Sequence, residues 1–326
     1  MKEGPIFVVG APRSGTTLLQ RMLRSHPRIA SPTGESHFMI PLLRDHARYG
    51  DLSKRENLVS LLRYMHGRWA EFLDTDMRGI AFDTETTADA IAARRASGMA
   101  EVIDTLFSLN AEGQGKQRWL EKTPYYTLHI DLLAATYPDA QFVHIIRDGR
   151  DAVLSMLERA VDIRVFNVDA GARLWQRYVE SGREAGKKLS DSRYHEIRYE
   201  DMLGNPLQSV QTLCAFLDEP FSNDVIDFQT SRAAKTKIPL LKKPLQKDNA
   251  EKWRERMTPS QLRTFESVAG NTLEAFGYPL NAPVRRQPQL EKLVLELHQR
   301  ISSRLNPHPK SGDKSRKSQP KGHQET

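Results

Sequence analysis

Residues Gly10 to Thr17 read Gly-Ala-Pro-Arg-Ser-Gly-Thr-Thr, a glycine-bounded loop carrying one arginine and three hydroxyls. Its skeleton, G-x-x-x-x-G-T-T, approaches the nucleotide-cradling pattern G-x-x-x-x-G-K-[ST]. Thr16 stands where that pattern has lysine. The backbone N–H groups, with a helix start behind them, still suit an anion. The side chain that reaches the terminal phosphates of metal-bound ATP is missing. Arg13 instead offers a planar fork of donors, and Ser14 a hydroxyl inside the loop. Taken alone, the segment is also compatible with a strand–helix connection whose glycines serve geometry only.

The elements that must position this loop follow from residue periodicity. Pro5-Ile-Phe-Val-Val9 is a short, β-branched apolar run and predicts a buried strand. Thr16 to Arg24 carries apolar residues at helical spacing and stops near Ser25-His26-Pro27, where proline disfavours continuation. A second unit repeats the plan, with a strand over Gln141–Ile146, a turn over Arg147–Arg150 and a helix over Asp151–Leu157. Weaker strands are read at Gln117–Glu121 and Tyr194–Tyr199, and helices at Leu52–Leu73 and Ala88–Leu109. Strands alternating with helical crossovers predict an α/β fold, a P-loop-like parallel sheet flanked by helices. Arg147 then sits at the carboxyl end of a strand, where ligands of open α/β sheets bind. Ser155 lies eight residues further on, inside the next helix.

Composition narrows the setting. The 326 residues can bury a substantial core, and 39% hydrophobic with 27% charged residues is ordinary for a globular protein. No apolar run reaches the length of a membrane span, and Met1-Lys-Glu-Gly-Pro5 reads as no secretory leader. The lone cysteine, Cys214, lies in an apolar helical stretch and reads as a small buried hydrophobe. A cytoplasmic, reducing location is therefore expected. The net charge of +7 suits an anionic partner. We expect one catalytic domain over 1–283 with a helical insert at about 52–109, a C-terminal helix over 289–305 and a disordered basic tail over 306–326. In residues 307–326, five Lys or Arg face only Asp313 and Glu325. Along 289–305, Leu290, Leu293, Val294, Leu297 and Ile301 form a helical stripe, expected to pack on the core.

Together these segments resemble a known family. Gly10-Ala-Pro-Arg-Ser-Gly-Thr-Thr17 is similar to the 5′-phosphosulfate loop of sulfotransferases that use 3′-phosphoadenosine 5′-phosphosulfate (PAPS). Phe142-Val-His-Ile-Ile-Arg-Asp-Gly-Arg-Asp-Ala-Val-Leu-Ser155 is similar to their 3′-phosphate segment, in the right order and roughly 130 residues downstream. The resemblance spans about residues 5–280. It is strongest to the tyrosylprotein and related bacterial sulfotransferases, through His26-Pro27, Gly34-Glu35 and Glu121-Lys122-Thr123-Pro124.

The resemblance implies roles. Arg13, Ser14, Gly15, Thr16 and Thr17 would hold the phosphosulfate, and Arg147, Ser155 and Arg159 the 3′-phosphate, with Arg159 one turn beyond Ser155 on the same face. Tyr199 matches a nucleotide-contacting tyrosine. Lys252 and Lys243 fall at the spacing of the basic segment that closes over the cofactor; residues 232–254 carry eight Lys or Arg against two acids. Glu35 matches the catalytic base and Lys122 the donor to the bridging oxygen, with Arg13 assisting the departing phosphate. His37 is the rival base, and Glu35 could instead pair with the helix starting near Ser36. No metal is implied. The expected acceptor is a small-molecule, lipid or sugar hydroxyl rather than a peptide tyrosine, because Ser36 to Leu43 is mostly apolar. The alternatives are a P-loop small-molecule kinase, which the missing loop lysine disfavours, and a non-enzymatic nucleotide-binding module.

Overall fold

Ile6–Val9 and Gln141–Ile146 are buried along their whole length, as near-continuous apolar strands covered on both faces must be. The computed structural model of the protein describes residues 4–73 (side chains to Trp69), 80–229, 249–281, 283 and 286–307. Lys243 and positions 308–326 of the expected tail lie outside the described residues.

In chain order the first half contains β1 (Ile6–Val9), α1 (Thr16–Ser25), β2 (Ile29–Ala30), α2 (Met39–Arg44), α3 (Arg55–Leu73), α4 (Thr84–Ala93), α5 (Met99–Glu112), β3 (Arg118–Lys122), α6 (Ile130–Thr136), β4 (Gln141–Ile146) and α7 (Gly149–Leu157). There follow α8 (Ala160–Ile163), α9 (Val168–Gly186), β5 (Tyr194–Arg198), α10 (Tyr199–Gly204), α11 (Pro206–Leu217), α12 (Trp253–Arg256), α13 (Pro259–Ala275) and α14 (Gln289–Leu305). The strands form one parallel sheet in the order β2-β3-β1-β4-β5. Val8 lies opposite Lys122 of β3 on one side and Val143 of β4 on the other. From β1 the chain crosses to the sheet edge as β2 and returns beside β1 as β3, then continues on the other side through β4 and β5, so the strand order reverses at β1. Binding crevices open at the carboxyl ends of strands at such a reversal.

Alternation along β1 divides the core. Phe7 and Val9 face the cluster containing Phe38, Phe107, Trp119, Tyr126 and Phe142, whereas Ile6 and Val8 face Leu19, Met22, Leu120, Val143 and Ile197. The Phe7 ring stacks on Phe142 at 5.3 Å and meets Trp119 edge-on at 5.7 Å. A third cluster, around Trp175, Val153, Phe265 and Trp253, joins α7, α9 and α13. The helical insert resolves into α3, α4 and α5, all carried between β2 and β3.

One expectation is overturned. Helix α14 spans Gln289–Leu305 as read, but its apolar stripe points outward: Leu290, Leu293, Val294, Leu297 and Ile301 are all exposed. Its polar side docks on the body through directional bonds that aliphatic side chains cannot make. Asn167 donates to the Leu295 carbonyl, the Phe166 N–H to Gln299, and the Arg164 guanidinium caps the carbonyls of Ser303 and Asn306. Among the described residues no helix is long and apolar enough to cross a membrane.

Candidate active site

The loop leaving β1 is pinned at its start by Thr127, whose hydroxyl accepts from the Gly10 N–H at 2.7 Å and lies 2.7 Å from the Pro124 carbonyl. It reverses through left-handed conformations at Arg13 and Gly15, with φ of 67° and 96°. Glycine is required at the second position, since a Cβ on Gly15 would lie 2.5 Å from the Tyr199 ring. Helix α1 then begins at Thr16 with no side-chain cap and no acidic residue in its first turn. Its first N–H groups are left for what the loop encloses, and its dipole favours negative charge there.

Facing this loop is the end of β4. Arg13 Nε donates to Ser155 Oγ at 3.0 Å, and Arg147 donates to the Arg13 carbonyl at 3.2 Å. Arg147 also donates to the Asn249 carbonyl at 2.7 Å, sits 3.5 Å from Asp151 and lies 4.6 Å over the Tyr199 ring. Asn249 completes the ring of contacts by donating to the Tyr199 hydroxyl and accepting from Lys252 Nζ at 2.7 Å. Arg13, Ser155, Arg147, Tyr199 and Lys252 are thus brought together. Arg159 is placed differently from the sequence reading: α7 stops at Leu157, and Arg159 opens the short α8, paired with Asp162 at 2.7 Å. It is not on the same helical face as Ser155, although its charge still reaches Arg13.

These residues fit a phosphate-bearing ligand. Ser14 Oγ and Arg147 Nε are buried without a hydrogen-bond partner among the described residues, a costly state that acceptor oxygens would relieve. Burial, then the charges of Arg159 and Arg147, hold the Arg13 guanidinium below its usual pKa. An anion between these cations removes that crowding.

One strand away, Lys122 ends β3 and donates to Glu35 Oε1 at 2.7 Å, while His37 Nε2 lies 3.2 Å from Glu35 Oε2. Lys122 is almost wholly buried and Glu35 is partly open. Burial pushes the Glu35 carboxyl up, but hydrogen bonds from His37 and Lys122, with the Lys122 charge, outweigh it and hold the pKa at about 2. Glu35 does not cap α2, which begins only after Phe38. His37 adopts φ 49°, a left-handed turn.

The corner bearing Glu35 is fixed from beneath by Glu121. Its Oε1 accepts from Thr123 Oγ1 at 2.6 Å, from the Ser36 hydroxyl at 2.8 Å and from the Ser36 N–H at 3.2 Å. The Ser36 hydroxyl also meets the Tyr126 phenol at 2.8 Å. Glu121 is 1% exposed, and burial pushes its carboxyl above the usual range. The sequence reading used Glu121 only as part of a motif and gave it no role. Nor did it find Asn249, whose only signal was its place three residues before Lys252.

A model of the sulfotransferase family matches residues 5–223. The chain belongs to the sulfotransferase family. It is an enzyme of PAPS-dependent sulfuryl transfer to a hydroxyl. Among curated proteins, this sulfotransferase is 24% identical to protein-tyrosine sulfotransferase 1 of Danio rerio, over 93% of this chain and 81% of that one. It is likewise 24% identical to protein-tyrosine sulfotransferase A of Caenorhabditis elegans, over 89% and 71%. Among solved structures, the sulfotransferase domain from the curacin biosynthetic pathway superposes with a TM-score of 0.57 at 18% identity, covering 85% of this chain and 99% of that domain. The sulfotransferase domain of the Synechococcus PCC 7002 olefin synthase gives 0.56 at 21% identity, covering 86% and 96%. These two likenesses show the sulfotransferase fold.

The sulfotransferase gathers further polar residues around Glu35. Burial pushes the Tyr178 phenol up to about 12, with Arg177 opposing and Tyr125 and Glu35 adding to the rise, so all three lie within electrostatic reach of it. His129 is held below the usual imidazole range by burial, then by Arg44 and Arg177; Arg44 lies 3.2 Å from its Nδ1. Arg44 and Arg177 are exposed. They come from α2 and α9, far apart in sequence, and form a cationic flank on the Glu35 side that sequence order conceals.

Proposed function

We propose that Glu35 is the base of this sulfotransferase and Lys122 the donor that follows the negative charge. The observation that carries the reading is the Lys122–Glu35 pair at the carboxyl end of β3, with Lys122 in register with Val8 just before the phosphate loop. Arg13, Ser14 and the N–H groups of Gly15 to Thr17 bind the phosphosulfate end. Arg147 and Ser155 bind the 3′-phosphate, and Tyr199, Asn249 and Lys252 close that side. Arg159 adds charge from the rim.

The acceptor oxygen attacks sulfur in line as the bond from sulfur to the bridging phosphate oxygen breaks. Glu35 takes the acceptor's proton, and adenosine 3′,5′-bisphosphate leaves. Lys122 Nζ donates to the bridging oxygen as its charge grows, with Arg13 on the phosphate behind it. A positioned base contributes about 10²–10⁴ in rate, and one preorganised donor about 10²–10³. Transfer of Lys122's hydrogen bond from Glu35 to the leaving oxygen raises the proton affinity of Glu35 at the moment the proton must be taken. His37, bonded to the other carboxylate oxygen, orients it.

For the acceptor, the cationic flank of Arg44 and Arg177 supports a hydroxyl on a molecule that carries acidic groups, and the names of the curated relatives favour a protein tyrosyl hydroxyl; the two together point to a tyrosine among acidic residues. A neutral metabolite, lipid or sugar hydroxyl is the second reading, favoured by the apolar run after Glu35. The single buried cysteine supports a cytoplasmic setting. Glu35→Gln is expected to abolish transfer from radiolabelled PAPS while calorimetric affinity for adenosine 3′,5′-bisphosphate stays within about threefold of wild type. Retained turnover would move the base role to His37. An acceptor panel of acidic tyrosyl peptides, simple phenols and sugars separates the two acceptor readings.

A further inference from the structure

Six of the exposed large hydrophobic side chains among the described residues fall on α14: Leu290, Leu293, Val294, Leu297, Ile301 and Leu305, with exposures between 47% and 75%. They occupy one stripe. The opposite side of the helix, through Glu291, Leu295, Gln299 and Ser303, is already engaged with Thr264, Asn167, Phe166 and Arg164. Among the described residues the stripe is left largely uncovered, with only Leu290 and Val294 bordering the body beside Leu157 and Phe166.

We propose that this stripe is covered by α14 of a second copy of the same chain, in a parallel two-stranded coiled coil on a two-fold axis. Leu290, Val294, Leu297 and Ile301 follow one another at spacings of four, three and four residues, the a/d rhythm of a heptad. They place leucine at both d positions and β-branched residues at both a positions, the combination that favours two parallel strands. Leu293 and Leu305 flank the seam at g and e. The exposed surface of these six side chains amounts to roughly 600–700 Å² per chain, near the ~800 Å² per partner of a standard stable interface. A helix of this length is marginal alone in water, but here the body has already ordered it, so association need not supply that entropy. The body sits on the side opposite the seam, which sends the two catalytic bodies to opposite sides of the axis without collision.

The inference does not depend on the acceptor. Sedimentation velocity of the full chain across roughly 1–200 µM should show a monomer–dimer equilibrium. Val294→Lys/Leu297→Lys should weaken it by at least ~100-fold, because two seam positions then bury charge. Far-UV circular dichroism and affinity for adenosine 3′,5′-bisphosphate should be unchanged, since both side chains are more than half exposed on the single chain, whereas the melting temperature should fall only as far as the lost association accounts for. Native Cys214 is buried, so mild oxidation reports introduced thiols: Leu297→Cys at d should form a covalent dimer and Lys292→Cys at f should not. A wild-type monomer throughout the range, a dimer that survives the double substitution, or equal cross-linking of both cysteine variants would overturn the proposal. So would binding of a monomeric wild type to phosphatidylcholine–phosphatidylserine vesicles that the double variant loses.

Discussion

Glu121 offers a clean separation between holding a catalytic corner and merely filling a core. Its Oε1 collects three donors, two of them from Ser36, the neighbour of Glu35, while Oε2 has no hydrogen-bond partner among the described residues. Glu121→Ala removes all three bonds. The Ser36 N–H retains Thr123 Oγ1 at 3.1 Å and the Ser36 hydroxyl retains Tyr126, so the loss is softened to about 2–4 kcal/mol at a net ~1 kcal/mol per bond plus the cavity. Glu121→Gln keeps an oxygen at Oε1 and puts an amide NH₂ where no acceptor lies. That orphaned donor costs about 1–2 kcal/mol, offset by no longer burying a carboxyl group, and the variant should unfold within about 1 kcal/mol of wild type. Urea unfolding at neutral pH measures both. Turnover should follow the bonds: about 10–100-fold lower kcat in the alanine variant, because Ser36 and with it Glu35 drift from line, but within a few-fold of wild type in the glutamine variant, with KM for PAPS little changed in either. An alanine variant that loses stability and keeps kcat would refute a positioning role, and a glutamine variant as slow as alanine would show that charge, not hydrogen bonding, matters.

Three other outcomes follow from the geometry. Arg147→Leu should weaken calorimetric affinity for adenosine 3′,5′-bisphosphate by about 10–100-fold, the worth of charge-assisted bonds at 1.5–3 kcal/mol, and affinity within threefold of wild type would remove Arg147 from the site. Gly15→Ala combines a left-handed φ, about 1–2 kcal/mol, with the 2.5 Å approach to Tyr199; it should lower both the melting temperature and nucleotide affinity, and an unaffected pair would mean the loop relaxes freely. His144 is buried, and burial pushes its imidazole down to about 4. Its folded pKa lies below the unfolded ~6.5, so the unfolded chain binds the extra proton as pH falls, and stability should drop by about 2 kcal/mol between pH 7 and pH 5. Urea unfolding at the two pH values tests this, and His144→Gln should flatten the slope.

Strands β1 and β4 were legible because burial on both faces writes itself as apolar runs; the edge strand β5 also matches the expected segment within one residue and β3 lies one residue along, although charged residues break both. Two-residue β2 is too short to carry a period. Arg13, Ser155, Arg147, Tyr199, Lys252, Glu35 and Lys122 could be named through the family resemblance; Arg13, Arg147, Tyr199, Glu35 and Lys122 also sit next to a strand end or glycine turn, whereas Ser155 lies inside α7 and Lys252 before α12. Arg159 was misplaced because nothing local announced that α7 stops at Leu157. Glu121, Asn249 and the Arg44–Arg177 flank stayed hidden, since their meaning arises from segments that meet only in three dimensions. For α14 the stripe was visible but its direction was not: amphipathicity shows that one face is apolar, and the hydrogen bonds of Arg164 and Asn167 decide which face touches the body.

The clamp on Glu35 has a consequence for where such an enzyme can work. With a pKa of about 2, only about one carboxyl in a thousand is protonated even at pH 5. As the proposed base, Glu35 is therefore ionised at rest in neutral and mildly acidic surroundings alike and needs no pH signal to switch it on. For the resting enzyme, a loss of folded protein on mild acidification then reports a loosening of the sheet around His144 rather than titration of Glu35.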